Sequence, residues 1–190
     1  MSFVVPDGGH AVLAGPTASG KSTLLQVIAG GIRPAAGIVS IDGADVTLDA
    51  PEFRGVGLVP QHGYLFPHLS VRRNIEYGVR DPATAPELTR RFGIEHLLGR
   101  SVAALSGGER QLVALCRALG PRPRVVLLDE PFSALDVQRR IAAVREFRDL
   151  QSEWGLTVLH VTHDGADAPF ASLRFEMSDG VLMSVALMSG

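Results

Sequence analysis

Short apolar runs alternate with longer amphipathic stretches along this chain. Runs of strand length, bounded by Gly, Pro or charged residues, stand at 11–14, 37–41, 56–59, 125–128 and 157–161. Stretches with helical spacing stand at 21–29, 106–119 and 138–154. This alternation predicts an α/β fold, with a mainly parallel sheet and helices on both faces.

Local signals sharpen several of these boundaries. Gly30 and Gly31 close the first predicted helix, and Ser106 with Glu109 forms an S-x-x-E capping box at the start of another. Two apolar runs, 173–177 and 181–187, flank an Asp-Gly pair and predict a hairpin. Residues 70–104 predict a helical insertion in the sheet.

Composition narrows the class of protein. The chain has 190 residues, of which 46% are hydrophobic, so it suits one packed domain. The formal charge of −2 argues against a nucleic-acid partner bound through bulk charge. A single cysteine, Cys116, excludes a disulfide framework. Apolar runs are too short for a membrane span, and the N-terminus does not read as a signal peptide, so we expect a soluble protein in a reducing compartment.

Residues 15–22 read GPTASGKS and match the pattern G-x-x-x-x-G-K-[ST] between a predicted strand and a predicted helix. Small residues at this spacing let backbone N–H groups surround phosphate oxygens at a helix N-terminus. Lys21, the only lysine in the chain, would reach the outer phosphates, and Ser22 would ligate Mg²⁺. A glycine-rich turn without a ligand is the alternative. The predicted nucleotide-binding residues here are Gly15, Pro16, Thr17, Ala18, Ser19, Gly20, Lys21, Ser22 and Thr23.

Two carboxylates follow the apolar run 125–128. In open parallel sheets, ligands bind at the carboxyl ends of the strands. Asp129 would therefore act on Mg²⁺, and Glu130 would orient and deprotonate an attacking water. The alternative is that these acids only end a strand and cap the next helix.

A second glycine-containing helix start, LSGGERQ, lies at 105–111. Its N–H groups are suited to a further anion contact, although helix capping alone also explains the pattern. With the two preceding motifs, this segment resembles the signature of the nucleotide-binding subunit of an ABC transporter. VPQ at 59–61 is similar to the Q-loop of that family, SALD at 133–136 to its D-loop, and VTHD at 161–164 to its switch segment.

The resemblance implies an ATPase that works as a sandwich dimer, a homodimer or a paired cassette. ATP would lie between the phosphate loop of one copy and Ser106, Gly107 and Gly108 of the other. Asp136 would communicate across the interface. The implied catalytic residues are Glu130, His163 and Gln61, the implied metal ligands are Ser22, Gln61 and Asp129, and the implied cofactors are ATP and Mg²⁺.

The family's fold is a P-loop NTPase of the RecA-like type. The resemblance implies one ATP-binding domain over 1–190, with a core at 1–69 and 105–190 and a helical subdomain at about 70–104. Only 14 residues precede Gly15, so we expect a reduced antiparallel β-lobe and assign no adenine-stacking aromatic, Phe3 included. Because strand neighbours at odd spacing face opposite ways, His160 and His163 are not predicted to share a metal.

The segment 64–71 reads YLFPHLSV, and it is either plain core or a docking groove for a membrane permease. LFPHL at 65–69 and NIEYG at 74–78 resemble importers of small oxyanions such as molybdate or sulfate. We therefore expect import powered through a separate permease, with a solute-binding protein and a cytoplasmic location on the inner face of the membrane. A soluble non-transport ATPase and a non-hydrolysing nucleotide-binding remnant are the alternatives.

Overall fold

A six-stranded sheet forms the centre of the molecule, and the computed structural model describes residues 1–162, 169 and 171–187. The strands are β1 (His10–Ala14), β2 (Ser40–Ile41), β3 (Ala44–Asp45), β4 (Val56–Val59), β5 (Val125–Asp129), β6 (Thr157–Val161), β7 (Leu173–Ser178) and β8 (Val181–Leu187). The α-helices are α1 (Lys21–Ala29), α2 (Val71–Ile75), α3 (Thr84–Arg91), α4 (Gly107–Leu119) and α5 (Val137–Trp154). Single 3₁₀ turns lie at Pro51–Phe53, Glu95–Leu97 and Val102–Ala104.

The strand order in the main sheet is β4-β5-β6-β1-β7-β8. Strands β4, β5, β6, β1 and β7 pair in parallel, and β8 pairs antiparallel with β7. The predicted mainly parallel sheet and the predicted hairpin are therefore confirmed. Because parallel strands end at the same edge, the segments that follow β1, β4 and β5 are brought together there.

Strand β5 shows why helices cover both faces of this sheet. Val126 and Leu128 point into one apolar cluster, which contains Leu115 of α4. Leu127, between them, points into the other cluster, with Leu25 of α1. Side chains alternate in this way because successive residues of a strand face opposite sides. Burying each such leucine contributes roughly 1.5–3 kcal/mol, so a continuous apolar run is stable only between two helical layers.

Helix boundaries follow local chemistry. Helix α1 ends at Gly30, whose φ is 88° and whose N–H donates to carbonyl oxygens of the last turn. Helix α4 begins with the predicted capping box: the Ser106 N–H donates to Glu109 Oε2 at 2.7 Å, and the Glu109 N–H donates to Ser106 Oγ at 3.2 Å. Both predicted boundaries are confirmed.

The strand predicted at 37–41 is shorter in the structure, since only Ser40 and Ile41 pair with β3. Gly37 has a φ of 98°, a left-handed value that interrupts extended backbone. Arg54 holds the segment 47–49, which follows β3, against the end of α1. Its buried guanidinium donates to Thr47 O at 2.8 Å, to Asp49 O at 2.9 Å and to two carbonyls at the end of α1, both at 3.0 Å.

Residues 71–104 supply the short helices α2 and α3 and two of the 3₁₀ turns. Val71 and Ile75 of α2 are fully buried and belong to the apolar cluster that also contains residues of α4. This packing holds the insertion on the face of the sheet that carries α4. Within the described ranges, no helix combines the length and the apolar character that crossing a bilayer requires.

Candidate functional site

The loop between β1 and α1 curls around the ammonium group of Lys21. Lys21 Nζ donates to Pro16 O at 2.7 Å, to Gly15 O at 2.9 Å and to Ser19 Oγ at 3.3 Å. The ammonium therefore lies inside the loop, where the backbone N–H groups at the start of α1 also point. An anion at this position would meet a positive charge and a helix N-terminus together.

Close packing against the β7–β8 hairpin fixes the shape of this loop. A Cβ at Gly15 would lie 2.1 Å from the carbonyl oxygen of Met177, so only glycine fits there. The N–H of Gly180 donates to Ser19 O at 2.9 Å. Ala18 has a φ of 63°, which is costly for a residue with a Cβ. The loop is therefore held in one conformation by the hairpin behind it.

Asp129 at the end of β5 lies within hydrogen-bond reach of the first turn of α1. The Ser22 hydroxyl donates to its carboxylate, which is only 7% exposed. Burial raises the pKa of Asp129, and the hydrogen bond from Ser22 opposes that rise. The charge of Glu130 also raises this pKa, whereas those of Lys21 and His62 lower it.

This donor set fits Mg²⁺. The hydroxyl of Ser22 and the carboxylate of Asp129 are adjacent oxygen ligands, as Mg²⁺ prefers. A divalent cation would also offset the cost of burying the Asp129 charge. Gln61, the third predicted ligand, is exposed in the loop after β4.

Glu130 occupies a strained backbone position between β5 and α5. Its φ is 48°, a left-handed value for a residue with a Cβ, and its N–H donates to Val161 O at 2.9 Å. The side chain is partly exposed. Strain of this kind persists only where surrounding contacts fix the backbone, and it is concentrated at functional sites.

The signature segment at 105–111 lies at the start of α4 and packs against residues 134–135, not against the β1–α1 loop. Ser106 and Gly107 are exposed at the start of α4, and a Cβ on the buried Gly108 would meet Ala134 O at 2.8 Å. Asp136 is exposed as well and caps α5, since its Oδ1 accepts from the Arg139 N–H at 3.0 Å. The structure thus gives each residue a local role in capping or packing and leaves 106–107 available at the surface.

The structure brings Lys21, Ser22 and Asp129 together, with Glu130 next in the chain. His163 lies outside the described residues. Sequence reasoning missed Gln111, a buried residue that links three of the predicted motifs. The sequence could have indicated this residue, because Gln111 lies on the same helical face as Leu115 and Leu119. Apolar side chains are expected on that face, and an amide there is unusual.

A cavity of about 710 Å³ lies beside α1, but the phosphate loop does not line it. Its walls come from residues 1–7, the segment 36–43 and the side chains of Leu24, Val27 and Ile28. The loop between β1 and α1 is itself mostly exposed. The candidate site at the β1–α1 loop is therefore identified by its hydrogen-bond donors and charges, because the large cavity lies at a different place.

Comparisons with known proteins agree with this geometry. Residues 1–133 match the ABC transporter family. The molybdate/tungstate import ATP-binding protein WtpC of Archaeoglobus fulgidus is 50% identical over 165 residues, which cover 84% of this chain and 69% of that protein. The corresponding protein of Thermococcus kodakarensis is 44% identical, over 88% of this chain and 53% of that protein. The sulfate/thiosulfate import ATP-binding protein CysA of Mycolicibacterium paratuberculosis is 44% identical, over 88% of this chain and 49% of that protein.

Relative to the second and third of these proteins, the chain spans about half the length. Among solved structures, a dimeric ATP-binding cassette in a post-hydrolysis state, with ADP and phosphate bound, is 29% identical and has a TM-score of 0.90. The alignment covers 99% of this chain and 89% of that one. The predicted P-loop NTPase fold is confirmed, as is the predicted class of an ATPase that binds ATP. The chain belongs to the ABC transporter family, as one of its ATP-binding cassettes.

Proposed function

We propose that this chain hydrolyses ATP between its own phosphate loop and the signature segment of a second cassette, and thereby powers the import of a small oxyanion. The observation that carries the proposal is the contact between Ser22 and Asp129, directly beside Glu130 and the Lys21 ammonium. This contact supports a phosphate site, a metal site and a general base at one edge of the sheet. Residues 1–190 would form one cassette domain, with a helical subdomain at about 70–104.

Lys21 and the loop would hold the phosphates. The ammonium now donates to Gly15 O, Pro16 O and Ser19 Oγ. The same three N–H groups would turn toward phosphate oxygens when a nucleotide binds. Lys21 would neutralise charge on the outer phosphates, as preorganised cations do in phosphoryl transfer.

Ser22, Asp129 and Gln61 would hold Mg²⁺, which supplies charge stabilisation at the phosphates when bound. Glu130 would accept a proton from water and orient its oxygen toward the terminal phosphate. His163 is proposed to contact the same phosphate, and its position lies outside the described residues.

A second cassette would complete the site, as a homodimer or as a pair with a related chain. Ser106 and Gly107 are exposed at the N-terminal end of α4, where a partner's phosphates can be approached. Gly108 and Asp136 would shape the same surface. The solved cassette that resembles this chain is a dimer, which supports the arrangement.

The segment 64–71 is proposed to dock a membrane permease. Leu65 packs against the core, whereas Tyr64 is 68% exposed. The guanidinium of Arg117 lies 4.9 Å from the ring centre of Phe66 and donates to Tyr64 O at 3.0 Å. Arg117 thus fixes the backbone of a segment whose Tyr64 side chain is exposed, which favours docking over a role in the core.

The names of the relatives support an oxyanion as the solute, because they import molybdate, tungstate or sulfate. We propose the cytoplasmic face of the membrane as the location, through the permease, with a solute-binding protein as a further partner. Solute choice would belong to those partners, since the residues assigned here act on ATP.

Replacing Glu130 tests the hydrolysis step. Glu130→Gln should lower the rate of Mg²⁺-dependent phosphate release at least about a hundredfold, because it removes the base and keeps the shape of the side chain. ATP binding, measured by calorimetry, should persist. Glu153→Gln, an exposed change on α5, is the matched control and should keep the wild-type rate. Turnover that survives in Glu130→Gln would remove the proposed base.

Replacing Lys21 tests the phosphate site. Lys21→Met should abolish ATP binding in calorimetry, because the loop then presents carbonyl oxygens without a cation between them. Unchanged nucleotide affinity would overturn the assignment of the loop. A wild-type protein that binds ATP but releases no phosphate, even at high protein concentration, would instead favour a non-hydrolysing role.

A further inference from the structure

Gln111 lies at the junction of three segments that the proposed function uses. It is the fifth residue of α4, is only 4% exposed, and shares its helical face with Leu115 and Leu119. An amide at such a position costs free energy unless its hydrogen bonds are made. The contacts of Gln111 therefore explain why a polar side chain is stable there.

The amide of Gln111 is satisfied from both ends. Its Nε2 donates to Glu130 O at 3.1 Å and to Ser133 Oγ at 3.0 Å, and its Oε1 accepts from the Ala134 N–H at 2.9 Å. The same Nε2 lies 3.5 Å from Gln61 O. One side chain thus connects α4 with the segments that follow β4 and β5.

These contacts meet the strained backbone of Glu130. Its left-handed conformation, with φ at 48°, costs on the order of 1–3 kcal/mol. The carbonyl of Glu130 accepts from Gln111 and also from Ser133 Oγ at 3.0 Å, while its N–H donates to Val161. Gln111 thus ties this peptide to helix α4.

We infer that Gln111 is a positioning residue for hydrolysis: its amide fixes the backbone of Glu130 and thereby sets the direction of the carboxylate. The inference rests on the proposed function, in which Glu130 is the general base. Because the same amide binds Ala134, two residues before Asp136, a shift of either segment is transmitted to the other.

The test replaces Gln111 with methionine, which has a similar size and no amide. Single-turnover hydrolysis with protein in excess should slow at least about tenfold, about 1.4 kcal/mol at the transition state, while the Kd for ATP stays within about threefold. Gln151→Met is the matched control. Gln151 is also a buried glutamine, but it bonds His10 Nδ1 at 3.0 Å and Gly8 O at 3.4 Å, and its variant should keep the wild-type rate.

A double-mutant cycle separates positioning from a general structural defect. If Gln111 acts through Glu130, Gln111→Met should lower the residual rate of the Glu130→Gln protein by less than about twofold. An equal loss in both backgrounds, or a wild-type rate in the single variant, would overturn the inference. Absence of hydrolysis in the wild-type protein would instead contradict the proposed function.

If Gln111→Met does not unfold cooperatively, Ser133→Ala carries the test. Ser133 is exposed, and its hydroxyl donates to the same carbonyl of Glu130 and accepts from Gln111, so Ser133→Ala weakens this contact and leaves the core intact. We expect a three- to fivefold slower single turnover with unchanged ATP affinity. A rate equal to that of the wild type would contradict the role assigned to this carbonyl.

Discussion

Two histidines lie stacked in the core, and their burial makes the fold sensitive to acid. The ring centres of His10 and His160 are 5.7 Å apart. His10 Nδ1 meets Gln151 Oε1 at 3.0 Å, whereas His10 Nε2 and both nitrogens of His160 are buried and have no hydrogen-bond partner among the residues that the structure describes. Burial lowers the pKa of His10 to about 4, against the effect of the Gln151 hydrogen bond, and burial with the nearby His10 lowers the pKa of His160 to about 3.

The sign of the effect follows from proton binding in the two states. Below pH 6.5 an unfolded histidine binds a proton, whereas the buried neutral form does not until the pH approaches 4 or 3. Stability contributed by the neutral pair is therefore complete above pH 6.5 and decreases as the pH falls. At pH 5 each histidine favours the unfolded state by about 2 kcal/mol, and the two together by about 4 kcal/mol.

His160→Leu isolates half of this effect, because leucine fills the site without titrating. Between pH 7.5 and pH 5 the wild type should lose about 2 kcal/mol more than the variant, a Tm difference of roughly 4–8 °C for a domain of this size. Calorimetric Tm values at several pH values measure it, with His96→Leu as a control at an exposed histidine. Parallel Tm curves for the wild type and His160→Leu would refute the reasoning.

Two further changes test contacts at the two ends of α1. Gly15→Ala should destabilise the protein by about 3 kcal/mol or more, because its Cβ would lie 2.1 Å from Met177 O. Gly99→Ala is the control and should be tolerated, since a Cβ at Gly99 has no neighbour within 4 Å. Urea unfolding compares the stability of the two variants. Arg54→Met should cost about 3 kcal/mol, a Tm fall of roughly 6–12 °C, since it removes the four hydrogen bonds that the buried guanidinium donates. Arg124→Met removes a mostly exposed guanidinium that pairs with Asp42 and should shift the Tm by less than about 2 °C, and similar Tm losses in both arginine variants would contradict this account.

The sequence by itself determined the elements whose causes are local. The capping box at Ser106, the glycine end of α1 at Gly30 and the apolar run of β5 each depend on residues a few positions apart, and each was found where the pattern predicted it. The loop at 15–20 also lies between a strand and a helix, β1 and α1, as the spacing of its motif predicted. The strand at 37–41 was overestimated, since Gly37 is left-handed and the Val39 N–H donates to the hydroxyl of Thr47 instead of a backbone carbonyl.

Only the tertiary structure decided which of these elements meet. The strand order, the approach of Met177 to Gly15 and the His10–His160 pair join residues that lie far apart in the chain. The role of Gln111 emerges in the same way, because its partners are 19 and more positions away and its pattern position indicated core. Local spacing specifies what a segment can become, whereas contacts across the sheet specify which donor faces which charge.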